Sequence, residues 1–196
     1  MNVPYGYLLF VILACFYLTF FGKQISLRKQ GISSNRLGKG DKPERTRKIE
    51  RLLMIMTYSM AAVQLLSVFF SSSLGAFGLP DVVRILGIVI SSLGVVFFVL
   101  AVTAMQNNWR AGVDKEQNTS LVSNGIYRYS RNPAFVGFFL LYIGTALTVP
   151  NITIVVFAVI SIIVFHLQVL EEEKFLSSSF GESYDSYEKR TARYLF

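Results

Sequence analysis

The chain has 196 residues, of which 53% are hydrophobic and 16% are charged, and its mean hydropathy is +0.48. This composition is typical of an integral membrane protein and argues against a water-soluble domain. The net charge of +7 is expected to reflect loop topology and anionic headgroups, so the expected partner is a membrane and not nucleic acid. With one cysteine, Cys15, and one histidine, His166, there is no Cys/His cluster, and no metal site is expected.

Three apolar segments in the first half predict membrane helices at residues 5–21, 52–70 and 82–105. Residues 23–51 carry ten basic and three acidic residues, and the positive-inside rule places this loose loop in the cytoplasm. Residues 71–81 contain no lysine or arginine, as an external loop should, so the N-terminus is expected outside. Gln64 should face another helix, and Gly87 and Gly94 should permit close packing between helices.

Two further apolar segments, at residues 134–149 and 152–170, predict a helical hairpin whose turn contains Pro150 and Asn151. The first of them is near the short limit for a span of ~20 residues. The charged and aromatic residues 171–196 continue the last helix as an amphipathic tail.

The expected fold is therefore an all-α integral membrane protein with about five transmembrane helices and a cytoplasmic helical tail. Residues 1–106 are expected to supply N-terminal membrane helices, and residues 107–196 a catalytic, cofactor-binding region.

Polar residues near the last predicted helix are the candidates for chemistry. Gln168 and Glu172 are four residues apart and share one helix face. His166 and Glu173 are seven apart and share a nearly opposite face, so the two faces cannot line the same pocket. One glutamate is expected to be functional while its neighbour faces solvent or an arginine. Nucleophile-elbow and phosphate-loop spacings are absent, which gives no support to hydrolase or nucleotidase functions.

Two motifs separated by the hairpin resemble one known family. They are GIYRYSRNPAFVG at residues 125–137 and EEKFLSSSFGESYDSYEKRTAR at residues 172–193. Their order resembles the isoprenylcysteine carboxyl methyltransferases, part of a wider group of membrane methyltransferases that includes phospholipid N-methyltransferases. The likeness covers roughly residues 107–196. It implies an enzyme that uses S-adenosylmethionine, bound on the cytoplasmic side, to methylate a lipid-like or prenylated acceptor.

The resemblance also implies which residues contact the cofactor and the acceptor. The cofactor contacts are a segment before the first motif, the tyrosine of its GxY element, an element that is usually His-Pro-x-Tyr, and a glutamate of the last helix. The matching residues here are Thr119, Ser120, Leu121, Val122, Tyr127, Asn132, Pro133, Ala134, Phe135 and Glu172. The candidate catalytic residues are Gln168, Glu172 and Arg131.

Three positions depart from the family pattern. Asn132 replaces a histidine and Phe135 a tyrosine; asparagine still forms hydrogen bonds and phenylalanine still packs on adenine or ribose, so cofactor binding is expected to survive. Gln168 replaces an arginine next to the substrate. A neutral amide holds a carboxylate less well than a guanidinium does, so recognition of a carboxylate would require Arg131 or Arg193.

Four functions remain open from the sequence. The first is an S-adenosylmethionine-dependent methyltransferase of the isoprenylcysteine carboxyl type, and the second is a phospholipid amine N-methyltransferase. A carboxylate acceptor needs no general base, whereas an amine must first lose a proton, to Glu172 or through water. The third is an NADPH-dependent membrane reductase, for which the chain is short, and the fourth is a non-catalytic relative that binds no cofactor.

Overall fold

The computed structural model describes residues 3–33, 35–39, 42–109, 112 and 120–195. These ranges contain α1 (Val3–Lys29), α2 (Glu44–Phe70), α3 (Asp81–Met105), α4 (Pro133–Thr148), α5 (Ile152–Phe180) and α6 (Glu182–Arg190). Short 3₁₀ helices lie at Ser71–Leu74, Gln106–Asn108 and Gly125–Arg128, and the described ranges hold no β-strand. The predicted all-α class is confirmed.

Four helices, α1, α2, α3 and α5, are long and apolar enough to cross a membrane. Their outer faces carry exposed large apolar side chains such as Leu18, Ile55, Val82 and Ile163, which suit contact with lipid. This indicates a multi-pass membrane protein. The remaining apolar helix, α4, has 16 residues and is about 24 Å long, which is short of a full span. Four of the five predicted spans therefore meet the length criterion.

The basic loop between α1 and α2 is shorter than predicted, because both helices continue into it. α1 ends at Lys29, with Arg28 and Lys29 in its last turn, where cations interact favourably with the helix dipole. α2 begins at Glu44, and a 2.7 Å ion pair between Lys48 and Glu44 supports its first turns. Charged residues can therefore extend a membrane helix beyond its apolar segment.

Glycines bring the backbones of α3 and α4 into contact. A Cβ atom on Gly94 would lie 2.8 Å from the carbonyl oxygen of Gly137, and one on Gly87 would lie 2.7 Å from that of Gly144. The pairing of the earlier glycine of α3 with the later one of α4 shows that the helices are antiparallel. Close packing through Gly87 and Gly94 is confirmed.

The α4–α5 turn and the α2–α3 connection meet at one end of the bundle. The Asn151 side chain accepts a 2.8 Å hydrogen bond from the backbone N–H of Ile154 and so caps α5. The N–H of Phe77 donates to the carbonyl of Pro150, and the N–H of Ile152 donates to that of Gly75. The predicted hairpin is confirmed, and the first motif and the tail lie together at the other end.

Aromatic rings and one amide connect the helices between these ends. Phe16, Phe98 and Phe138 lie in mutual contact, with ring centroids 4.5–5.3 Å apart, and so join α1, α3 and α4. Gln64 of α2 accepts a 2.5 Å hydrogen bond from the Tyr17 hydroxyl and donates a 3.0 Å bond to Thr145. The prediction that Gln64 faces other helices is confirmed.

Candidate active site

The two polar faces of α5 are separate, as the residue spacing predicts. On one face, the buried Gln168 donates a 3.0 Å hydrogen bond from Nε2 to Glu172 Oε1. On the other face, Glu173 binds two arginines, and Nδ1 of His166 lies 2.7 Å from the hydroxyl of Tyr194. One glutamate therefore faces an arginine cluster, and the other does not.

Glu172 lies in the wall of a cavity with about 650 Å³ of empty space, including its open mouth. Glu172 is the one charged side chain among the described residues that line the cavity. Most of the wall is aromatic or aliphatic and includes Phe20, Tyr58, Trp109, Phe135, Phe138 and Phe165. The cavity is thus an apolar space with a single carboxylate on it.

The first motif folds into a 3₁₀ turn that buries Tyr127. The turn spans Gly125–Arg128, and Gly125 has a φ of 58°, in the region that favours glycine. The hydroxyl of Tyr187 in α6 donates a 2.7 Å hydrogen bond to the carbonyl oxygen of Tyr127. Burial, followed by the nearby Tyr187 and Glu172, raises the pKa of Tyr127 well above its usual range. Tyr127 is therefore a neutral phenol in the electrostatic neighbourhood of Glu172.

The second half of the motif forms the start of α4, and its side chains lie on two different sides of that helix. Pro133 is its first residue, a position where the missing N–H costs nothing. Ala134 and Phe135 line the cavity. Asn132 points elsewhere: its Nδ2 donates to Glu173 Oε1 at 2.9 Å and to the carbonyl of Arg193 at 3.2 Å.

Arg131 is bound within what we call the Glu173 cluster, formed by Arg131, Asn132, Glu173, Glu188 and Arg193. Arg131 contacts the carboxylates of Glu173 and Glu188 at 3.1 and 2.9 Å and donates to the carbonyl oxygen of Thr191 at 2.7 Å. Burial alone would lower the pKa of Arg131, but the hydrogen bond and charge of Glu173 outweigh it and raise that pKa. The second arginine, Arg193, donates to Glu173 at 2.9 Å.

Neither arginine of the cluster lines the cavity. The structure therefore brings Gln168 and Glu172 together but does not bring the third candidate catalytic residue, Arg131, to them. With its donors taken by Glu173, Glu188 and backbone carbonyls, Arg131 joins the start of α4 to the tail. That arrangement suits a positioning role.

Of the four predicted cofactor contacts before the motif, Thr119 lies outside the described residues. Ser120 is exposed, and its N–H and hydroxyl are both hydrogen-bonded to the Asn108 side chain, at 3.3 and 3.1 Å. Leu121 and Val122 are half-buried, and none of Ser120, Leu121 and Val122 is in the cavity wall.

A buried ion pair in the first half of the chain holds one side of the cavity in place. Lys42 donates 2.8 and 2.9 Å hydrogen bonds to the Glu50 carboxylate, which also accepts from the N–H of Gly38 at 2.7 Å. This anchors the α1–α2 connection, from which Asn35 and Leu37 line the cavity. Sequence reasoning missed this pair, since nothing distinguishes it from the other charges of a basic loop. The predicted division of the chain into residues 1–106 and 107–196 stays a prediction. Residues from both of these regions line the cavity.

The sequence model of the phospholipid methyltransferase family matches residues 82–183, just over half of the chain. The chain belongs to this family. The matched region begins in α3 and includes the first motif, the α4–α5 hairpin and Glu172, so it contains most of the described site.

Three curated relatives are named protein-S-isoprenylcysteine O-methyltransferase, and the chain spans a third to a half of their length. The Schizosaccharomyces pombe protein is 38% identical over 71 residues, which are 36% of this chain and 30% of that protein. The Dictyostelium discoideum protein is 36% identical over 77 residues, 39% of this chain and 32% of that protein. The Tribolium castaneum protein is 29% identical over 138 residues, 68% of this chain and 49% of that protein. The predicted family resemblance is confirmed.

Proposed function

We propose that this chain is an S-adenosylmethionine-dependent membrane methyltransferase of the isoprenylcysteine carboxyl type, which methylates a prenylated or other lipid-like acceptor. The observation that carries the proposal is Glu172, held by the Gln168 amide, at the wall of an aromatic cavity within the region matched by the family. The basic α1–α2 connection lies at the same end of the bundle as the cavity. By the positive-inside rule, that end and the tail are cytoplasmic and the N-terminus is outside.

The residues of the cavity fit this cofactor. The cavity wall presents the Glu172 carboxylate among aromatic rings, and next to that carboxylate the Oε1 atom of Gln168 is buried and accepts no hydrogen bond from any described residue. S-adenosylmethionine carries a sulfonium, an ammonium and a carboxylate, and its two cationic groups are of the kind that carboxylates and the faces of aromatic rings stabilise. When bound, it would supply a methyl group that is already activated for transfer. Tyr127, Asn132, Pro133 and the residues 119–122 remain predicted cofactor contacts.

The chain's own residues have three tasks in such a reaction. Gln168 holds the Glu172 carboxylate in one orientation through its 3.0 Å hydrogen bond. The aromatic wall keeps water away from the reacting groups. The Glu173 cluster fixes the start of α4, and with it Ala134 and Phe135, against the cavity, which is how alignment of donor and acceptor would be maintained.

N-methylation of a phospholipid amine is a second candidate, favoured by one observation. The described residues of the cavity wall include no lysine or arginine, whereas the Glu172 carboxylate on that wall is a hydrogen-bond acceptor. Such a site complements a hydrogen-bond donor better than a carboxylate. For an amine acceptor, Glu172 would also be placed to receive the proton that must leave before methyl transfer.

Binding of S-adenosylhomocysteine to the purified, detergent-solubilised protein tests the cofactor site by calorimetry. We expect saturable binding, weakened by about tenfold or more in Glu172→Gln, since a lost interaction with a charged group costs about 1.5–3 kcal/mol. Tyr127→Ala, which removes a predicted cofactor contact, should also weaken the binding. Glu182→Gln removes an exposed carboxylate on α6 and serves as the matched control. No binding by a folded wild-type protein would overturn the proposal.

Transfer of labelled methyl groups decides between the two acceptors. The protein would be given either an S-prenylated cysteine with a free carboxylate or vesicles of phosphatidylethanolamine. Label on the first that is released by base identifies a methyl ester, whereas base-stable label on the second identifies N-methylation. Labelling of neither acceptor by a protein that binds the cofactor would exclude both acceptor classes.

A further inference from the structure

A second cavity lies at the opposite end of the bundle from the Gln168–Glu172 pair. It contains about 1380 Å³ of empty space, including its open mouth. It is formed where the start of α1, the end of α2 and the start of α3 meet the α4–α5 turn. The lining residues that matter here are Tyr5, Phe10, Phe69, Phe77 and Arg84.

The wall of this cavity is continuous with the outer surface of the membrane helices. Phe10, Phe69 and Phe77 are 41%, 51% and 43% exposed, although each is a large apolar side chain. Phe10 and Phe69 contact each other edge to face, with ring centroids 5.8 Å apart. At the end of a membrane bundle, such a surface faces the boundary between acyl chains and headgroups.

Arg84 gives this apolar cavity a positive charge. It is the one charged residue among the described residues of the wall, and Asp81, at the start of the same helix, does not line the cavity. Its Nε atom is buried and donates to none of the described residues. Its Cζ atom lies 6.0 Å from the centroid of the Tyr5 ring, a cation–π contact that leaves the N–H donors available.

We propose that this cavity is a binding site for a bilayer phospholipid, whose phosphate diester binds Arg84 and whose acyl chain lies along Phe10, Phe69 and Phe77. A guanidinium with free donors is complementary to a phosphate in both charge and geometry. The aromatic wall supplies the apolar surface that an acyl chain requires. Because the cavity lies at the end of the membrane helices, the phosphate would be at the depth of the headgroups and the acyl chain would extend into the bilayer. The site is separate from the proposed methyl-transfer site, so either assignment can fail without the other.

Native mass spectrometry of the full chain in detergent tests the proposal, with dioleoyl phosphatidylglycerol as the probe. Its phosphate is its only charged group. Dioleoylglycerol has the same acyl chains without the phosphate and is the comparison ligand. We expect one tightly bound phosphatidylglycerol and much weaker binding of dioleoylglycerol. Arg84→Gln should weaken phosphatidylglycerol binding by about tenfold or more and leave dioleoylglycerol binding unchanged.

Two further variants make the outcome decisive. Arg28→Gln removes an exposed arginine from the far end of α1 and should bind the phospholipid as the wild type does. Arg84→Lys keeps the charge and should retain part of the affinity, which a variant damaged in folding would not. Equal affinities of wild type and Arg84→Gln for phosphatidylglycerol would overturn the proposal, and so would equally tight binding of dioleoylglycerol by the wild type.

Discussion

Two adjacent glutamates of α5 have opposite surroundings. The carboxylate of Glu173 is buried and contacts Arg131, Arg193 and the Asn132 amide. The carboxylate of Glu172 has one amide donor, Gln168, and faces an aromatic cavity. Consecutive acidic residues at a helix end can therefore have different roles, because neighbouring residues point about 100° apart around the helix axis.

A carboxylate with several charged and polar partners, such as Glu173, should contribute to stability. A carboxylate with one partner, such as Glu172, should contribute to ligand binding. The interaction partners of Glu173 come from the start of α4 and from the tail, so this residue joins segments that are distant along the chain. Among the described residues, Glu172 forms no ion pair or hydrogen bond with those segments, and its burial beside an apolar wall costs free energy that ligand binding could recover. A substitution of Glu173 should therefore lower the stability of the protein, whereas a substitution of Glu172 should weaken ligand binding.

Replacing Glu173 by Gln should have the largest effect, and the effect should be on stability. It leaves Arg131, whose side chain is 8% exposed, with Glu188 as its one remaining carboxylate partner among the described residues. Breaking a buried pair by removing one partner costs about 3–5 kcal/mol, so we expect unfolding in detergent to become easier by about 3 kcal/mol. The exposed Glu182→Gln is the control. An unfolding midpoint equal to that of the wild type would show that the cluster does not hold the tail.

Gly137→Ala should disturb both faces of α5 together. The new Cβ would lie 2.9 Å from the carbonyl oxygen of Gly94 and from Phe98, so α4 must move away from α3. Overpacking of this kind costs about 1–3 kcal/mol, and α4 carries both Asn132 and Phe135. We expect lower stability and weaker S-adenosylhomocysteine binding in the same variant. Gly22→Ala, where a Cβ meets nothing within 4 Å, should change neither.

Glu172→Gln should show the reverse pattern from Glu173→Gln. Binding of S-adenosylhomocysteine should fall by about tenfold, about 1.4 kcal/mol, while unfolding should be unchanged or slightly harder, since a half-buried charge is removed. Calorimetry and unfolding measured on one preparation decide this. A loss of stability equal to that of Glu173→Gln would remove the distinction between the two glutamates.

The sequence predicts the local part of this arrangement well. The shared face of Gln168 and Glu172 follows from the helical period, and the glycine contacts of α3 follow from side-chain size. The partners of Glu173 do not follow, because Arg131 is 42 residues away and its contact depends on how α4 and the tail dock. The Lys42–Glu50 pair escaped prediction for a related reason: its burial is created by the closure of the loop over the bundle.

The smallest expected effect tests the link between the tail and the first motif. Tyr187→Phe removes the hydrogen bond to the carbonyl of Tyr127 and should lower stability by about 1 kcal/mol. Burial raises the pKa of Tyr187 to about 12, above the usual value of about 10. The folded protein therefore favours the protonated phenol, and this stabilisation is complete below about pH 10 and is lost as the pH rises through about 12. The free energy of unfolding of Tyr187→Phe should accordingly be lower than that of the wild type by the same amount at pH 6 and at pH 9. A difference that changes between these pH values would mean that Tyr187 is ionised within this range, and that the bond to Tyr127 does not hold the tail as described.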